Sequence, residues 1–249
     1  MDQDKSIDVL GMKPVGEAIN TSVTKTWSGI STFLNLTCKP ALEQVGLLVR
    51  DQVQYWRLNN LYNMVEKAKG KIALDKEMNL QLNPRLGSKI LEHASLVDED
   101  NLQEMWAGIF ASSCTEDGQD DQNLIFIDIL KHLTISEAKI IKFICENCKK
   151  AIHGNGLITA CDMTLDVNEL FACTKINDIY RLDRELDHLA AMDLIRGKGS
   201  QGGFIIDKNN NNLKAWVTPS PLALNLYVRC QGSKKTLLEF WKMEITQHV

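Results

Sequence analysis

The sequence has little that would announce a chemistry. Its five histidines are scattered with no His-x-x-x-His pair, and it has no Gly-x-Ser-x-Gly elbow, phosphate loop or dinucleotide fingerprint. No acid, base and nucleophile stand in register, so a protein that is not an enzyme and carries no cofactor is expected. A membrane span needs about 20 mostly apolar residues. The longest uncharged stretch near the N-terminus, residues 26–38, is shorter and contains Ser, Thr and Asn, so no transmembrane segment is expected. The opening MDQDKSIDVLGMKP is polar and acidic, unlike the basic and then apolar start of a secretory signal. There is no basic tail of the kind that marks nucleic-acid binders. Seven cysteines, an odd number at irregular spacing in a chain too long to need staples, point to a reducing, cytoplasmic setting rather than a disulfide framework.

What is present is ordinary globular material: 249 residues, 44% hydrophobic and 24% charged, enough for one large core or two smaller ones. The net charge of −4 is unevenly spread, because residues 95–133 hold nine acids against one lysine. Acids in that stretch, Asp98, Glu99, Asp100, Asp117, Asp120 and Asp121, form a candidate partner surface.

Two long helices are expected first, over residues 14–38 and 41–72. In the first, Val15, Ile19, Val23, Trp27, Ile30 and Leu34 follow Pro14 at spacings of four or three, and the opposite face is rich in Ser and Thr. Packing on both sides, an oligomer seam and a helix lying on a membrane all fit that face, although the last lacks the usual Lys/Arg border. In the second, Leu58, Leu61, Val65, Ala68 and Ile72 form a short heptad run that wants a partner helix, either the first helix or a second copy. Tyr55-Trp56-Arg57 reads as an aromatic anchor with a snorkelling arginine.

Residues 75–83 read as a loop, and Pro84 opens a helix with Leu86, Ile90 and Leu91. The clearest local pattern follows in SLVDEDNLQEMWAGIFASSC, residues 95–114. Leu102, Met105, Trp106, Ile109 and Phe110 line one helical face, and Asp98, Glu99 and Asp100 crowd the start, where carboxylates oppose the helix dipole. Ala107, Gly108 and Ala111 leave room for close approach beside Trp106. The loop TEDGQDDQN lacks the ligand spacing of a calcium-binding EF-hand, and a solvated loop is expected. Residues 124–133 are apolar on nearly every side, which predicts a buried central helix.

The order of these signals, from the acidic helix start through Leu102 and the run Trp106-Ala107-Gly108-Ile109-Phe110-Ala111 to the Asp-rich loop, IFIDILKHL and TISEAKII, resembles the abortive-infection alpha family of bacterial phage-defence proteins. The resemblance is best over residues 45–145 and continues more loosely to Cys230, while residues 14–38 depart from it. It implies a role in halting or killing the infected host, and it carries no catalytic motif onto this chain.

Beyond Leu133 the character changes. Thr134 with Glu137, and Asp166 with Glu169, are capping boxes that open two helices. A third begins near Asn177 with Ile179, Leu182, Leu186 and Leu189 on one stripe, and short strands follow in DLIRG, GFIID and LKAWV around the glycine-rich KGSQGG. That is the order of a winged helix. As a DNA reader it would use Arg181, Arg184, Arg196 and Lys198. The 177–191 helix, however, carries more acids than bases, and residues 134–232 hold 12 bases against 11 acids. Nucleic acid is therefore disfavoured against a protein partner. Cys145, Cys148, His153 and Cys161 can be drawn as a zinc site, but Cys145 and Cys148 extend an apolar helical stripe and behave as small buried hydrophobes.

The expected protein is mainly α, with a helical domain over 1–133 (long helices 14–38 and 41–72, core helices 84–133), a winged-helix-like domain with a small β wing over 134–232 and a helical tail over 233–249. Its expected action is by interaction with a phage or host protein, with self-association through the N-terminal helices open. The alternatives are a membrane-acting effector through the N-terminal helix and a winged-helix DNA-binding regulator.

Overall fold

The computed structural model describes Ser28, residues 31–34, Thr37, and residues 54–72, 80–197, 203–206 and 213–242. Most of the 14–38 stripe, the first part of the 41–72 helix, Lys198 and the KGSQGG glycines up to Gly202 lie outside the described residues. The chain is mostly helical with small sheets, and it divides into two compact units, Met1–Lys131 with Cys230–Gly232, and His132–Arg229 with Ser233–Val249.

In the first unit, α1 (Gln54–Lys71) packs most extensively on α3 (Asp100–Ser113), with α2 (Pro84–Ala94) beside both. The heptad residues Leu58, Leu61, Val65 and Ala68 are buried. Their partner is thus α3 of the same chain, which the sequence pattern did not name. Polar side chains reinforce the pairing. Lys67 Nζ donates to Asp100 Oδ1 at 2.7 Å and Glu104 Oε1 at 2.9 Å, and Lys71 Nζ lies 2.9 Å from Glu104 Oε2. Burial alone would raise the Glu104 carboxyl, but the two lysines outweigh it and hold it below its ordinary value. Arg57 does not snorkel: its Nε and Nη2 fork onto Ser95 Oγ at 3.0 and 2.8 Å, in the turn after α2.

Helix α2 starts where Pro84 needs no amide partner and Asn83 accepts from the Arg85 N–H, and it buries Leu86, Ile90 and Leu91. Within the stretch expected to be a loop, β1 (Gln81–Leu82) pairs antiparallel with β2 (Cys114–Thr115) directly after α3. Glu99 caps α3 by accepting from the Leu102 N–H. Trp106 and Phe110 are fully enclosed, Phe33 lies against Phe110 with ring centroids 5.6 Å apart, and Trp106 stacks on His93 at 5.9 Å. A Cβ at Gly108 would stand 1.6 Å from the Cys230 carbonyl oxygen, so the expected close approach is made by backbone. Helix α4 (Leu124–Leu130) corrects the expectation of burial on nearly every side: Phe126, Ile127 and Leu130 are buried, whereas Ile125 is 61% exposed.

Burial beside Trp106 lowers the His93 pKa, only partly opposed by the Glu92 charge. The folded state therefore binds fewer protons than the unfolded chain below about pH 6.5. The stability this gives is present above the ordinary histidine pKa and is lost as pH falls toward the lower folded value. Denaturant midpoints measured at about pH 7.5 and about pH 5.5 should differ less in His93→Gln than in the unsubstituted chain. An equal drop in both would contradict a shifted His93.

The second unit begins with α5 (Ile135–Asn147), followed by the antiparallel hairpin of β3 (Lys150–Ile152) and β4 (Ile158–Ala160). Then come β5 (Thr164–Asp166), α6 (Val167–Thr174), α7 (Ile179–Ala191), β6 (Ile195–Arg196), β7 (Gly203–Ile206), β8 (Leu213–Trp216) and β9 (Thr218–Pro219). A three-stranded antiparallel sheet runs in the order β5-β8-β7, and β6 pairs with β9. Both expected capping boxes are formed, at Thr134/Glu137 and Asp166/Glu169. Ile140, Ile141, Ile144, Leu170, Leu182, Leu186, Leu189 and Ala215 supply the core. Helix α8 (Pro221–Cys230) leads to α9 (Leu237–Phe240), where Thr236 and Glu239 form a third box. Phe240 and Trp241 return to Tyr227 with centroids 6.3 and 6.4 Å away, and Lys150 Nζ sits 4.8 Å above the Trp241 ring.

Candidate functional site

Helix α7 has two different sides. Leu182, Leu186 and Leu189 face inward, while Tyr180, Arg184, Asp187 and Ala191 are exposed on the opposite side. Tyr180 is 83% exposed, more than any other large hydrophobic side chain among the described residues. Glu185 falls on the inward side and is buried, which would be costly for an unpaired charge. It accepts from the Thr134 hydroxyl, and Arg181 Nε donates to its Oε1 at 3.3 Å.

The neighbouring Glu137, also buried, uses one carboxylate oxygen on the Thr134 N–H at 2.8 Å and the other on His188 Nδ1 at 2.6 Å. Thr134, Glu137, Glu185, Arg181 and His188 thus form one satisfied polar network that fixes α7 against the start of α5. Sequence reasoning found the capping box but missed Glu185 and His188. The available signal was a glutamate at a core-facing angle between Leu182 and Leu186.

Of the described residues singled out for nucleic acid, two arginines are engaged by carboxylates. Arg181 is paired with Glu185, and Arg196 is forked onto Asp193 at 3.1 Å through both Nε and Nη2. Arg184 is exposed, and Lys198 lies outside the described residues. At the α7 N-terminus the Asp178 carboxylate already accepts from the Tyr180 and Arg181 N–H groups at 3.0 and 3.3 Å, where a phosphate would otherwise dock.

The acidic positions make hydrogen bonds within the chain, while Asp100, Asp117 and Asp121 remain exposed. Asp98 accepts from Trp56 Nε1 at 3.2 Å, Glu99 caps α3 and Asp100 pairs with Lys67. Asp117 takes the Thr115 hydroxyl and the Gln119 N–H, and these bonds, led by the backbone one, hold its carboxyl below the ordinary range. Asp120 accepts from the Gln122 N–H, and the Asp121 carbonyl accepts from the Leu124 N–H.

Cys145 is buried with its thiol 3.7 Å from the Ala223 carbonyl, Cys161 is exposed, and His153 Nε2 contacts the Thr159 hydroxyl at 2.9 Å. Burial pushes the Cys148 thiol up, away from the thiolate a metal would need. Among the described residues no group of three or more His, Cys, Asp or Glu is arranged to hold a metal ion.

A family model described as abortive infection alpha matches residues 56–229, well over half of the chain. The chain belongs to the abortive infection alpha family. Comparison with curated proteins and with solved structures found no match. The abortive infection alpha match begins inside α1 and ends one residue before Cys230, so it takes in α2–α7 and nearly all of α8. Among the described residues of this family member no helix is long and apolar enough to cross a membrane.

Proposed function

We propose that the chain serves abortive infection without catalysis, as an interaction protein whose second unit is a winged helix used for protein docking. Three helices, α5, α6 and α7, with a sheet ordered β5-β8-β7 support the winged-helix assignment. The exposure of Tyr180 on α7, the helix that a winged helix would present, carries the docking assignment. Tyrosine and arginine, here Tyr180 and Arg184 one turn apart, are among the residue types enriched at the energetic centres of protein interfaces. Phosphate binding would need the positive charge that Glu185 and Asp193 neutralise and the helix start that Asp178 occupies. The partner is a phage or host protein, and the setting is the cytoplasm.

The test is affinity purification of the tagged chain from infected and uninfected cells, alongside Tyr180→Asp. A stoichiometric protein that appears on infection should be lost with the variant, together with phage protection. Because the site is exposed, stability should change by no more than about 0.5 kcal/mol. Nucleic acid or lipid co-purifying without a stoichiometric protein would overturn the proposal.

A further inference from the structure

The exposed side of α7 is complementary to itself. Tyr180, Arg184, Asp187 and Ala191 recur at steps of four, three and four, the spacing of a coiled-coil seam, directly opposite the buried leucines. The arginine and aspartate at the middle of the stripe make no ion pair or hydrogen bond with a described residue. The two flanking polar side chains on one side of it, Arg181 and His188, are already held by Glu185 and Glu137. The stripe therefore offers one free positive charge, one free negative charge, one large ring and one small side chain.

We infer that this stripe pairs with the same stripe of a second copy of the chain, antiparallel about a two-fold axis passing between Glu185 and Leu186. An isologous contact requires each residue to meet its complement across the axis. About that axis Tyr180 of one copy covers Ala191 of the other, where the small side chain leaves room for the ring, and Arg184 meets Asp187 twice. A parallel pairing would instead set arginine on arginine and aspartate on aspartate. The 13 residues of α7 span about 20 Å, so the contact belongs to the weak, reversible class rather than the obligate one.

The inference rests on α7 being the docking helix proposed above, and it adds a regulatory consequence. Self-paired copies cover Tyr180, so a phage or host protein competes with the second copy for one surface.

Sedimentation equilibrium of the purified full chain, up to about 0.5 mM, tests the pairing. Arg184→Asp and Asp187→Arg should each weaken self-association at least about tenfold by opposing like charges. The double variant Arg184→Asp/Asp187→Arg should recover it to within about threefold, because the swapped charges meet again across the axis. Ala191→Tyr, which sets ring against ring without touching the charges, should also dissociate the pair. All four positions are exposed, and circular dichroism should show each variant folded.

A chain that stays monomeric throughout, a dimer indifferent to the single swaps, or a double variant that fails to recover would each overturn the pairing. The docking proposal fails separately. A monomer that still captures a protein through Tyr180 removes only the self-pairing, and a dimer whose Tyr180→Asp variant still captures that protein removes only the docking.

Discussion

Gly108→Ala should destabilise the first unit by about 2 kcal/mol or more, read as a fall in the denaturant midpoint at unchanged slope. Two effects oppose each other at this position. Alanine is the better helix former by about 1 kcal/mol, so in an open helix the change would stabilise. Here the added methyl would lie 1.6 Å from the Cys230 carbonyl oxygen and 2.7 Å from its Cα, well inside van der Waals contact. The obstacle is main chain, which cannot rotate away, so the steric cost exceeds the propensity gain and the sign reverses. Gly70 in α1 supplies the control, since a Cβ there meets nothing within 4 Å. Gly70→Ala should stabilise by up to about 1 kcal/mol. Stabilisation by both substitutions would show that Cys230 does not lie on α3.

Trp106→Ala should cost more, about 3–5 kcal/mol, by removing the largest fully buried side chain of the first unit. The loss combines the transfer of the indole to water with the cavity left between α3 and His93, whose imidazole stacks on it. Trp106→Phe keeps a ring against His93 and should lose markedly less. The comparison is made by equilibrium unfolding followed by circular dichroism, because the substitution removes a fluorophore. A loss below about 1 kcal/mol for alanine would mean that the pocket closes over, which Ile109 and Phe110, fully enclosed on the same helix, give little freedom to do.

Local grammar was legible in the sequence, and long-range pairing was not. Thr134/Glu137 and Asp166/Glu169 were readable because a capping box needs only two residues three apart, and the side chains close on the backbone as expected. The helix α3 was readable because five apolar residues repeat with the helical period, although it is buried on every side beyond Glu104 rather than along one stripe. The strands β1, β2, β3, β4, β5 and β9 are two or three residues long, too short for a period of two to register, and they are defined by partners up to 52 positions away, as where Thr164 of β5 pairs with Trp216 of β8. The apolar run in α4 fixed that the helix would be buried but not on which sides, and Ile125 is left outside.

At the candidate site the sequence singled out Arg181 and Arg184 but passed over Tyr180. A tyrosine at a helix start reads equally well as core or surface until the sides of the helix are assigned. The internal partners of the acidic stretch were hidden for the same reason. Nine acids against one lysine in a stretch look solvated, yet Lys67 of α1 reaches Asp100, and Trp56 reaches Asp98, from more than thirty positions upstream. Composition counts charges within a window, whereas neutralisation happens in space.

Among the described residues the β3–β4 hairpin pairs only with itself, and it sits between α5 and β5 with its tip at His153, Gly154 and Asn155 exposed. A side chain at Gly154 would meet open space. This tip is therefore a natural splice point, where a fluorescent domain can be carried without interrupting a helix, a capping box or the α7 stripe. The protein can then be followed inside a living cell from the moment a phage attaches.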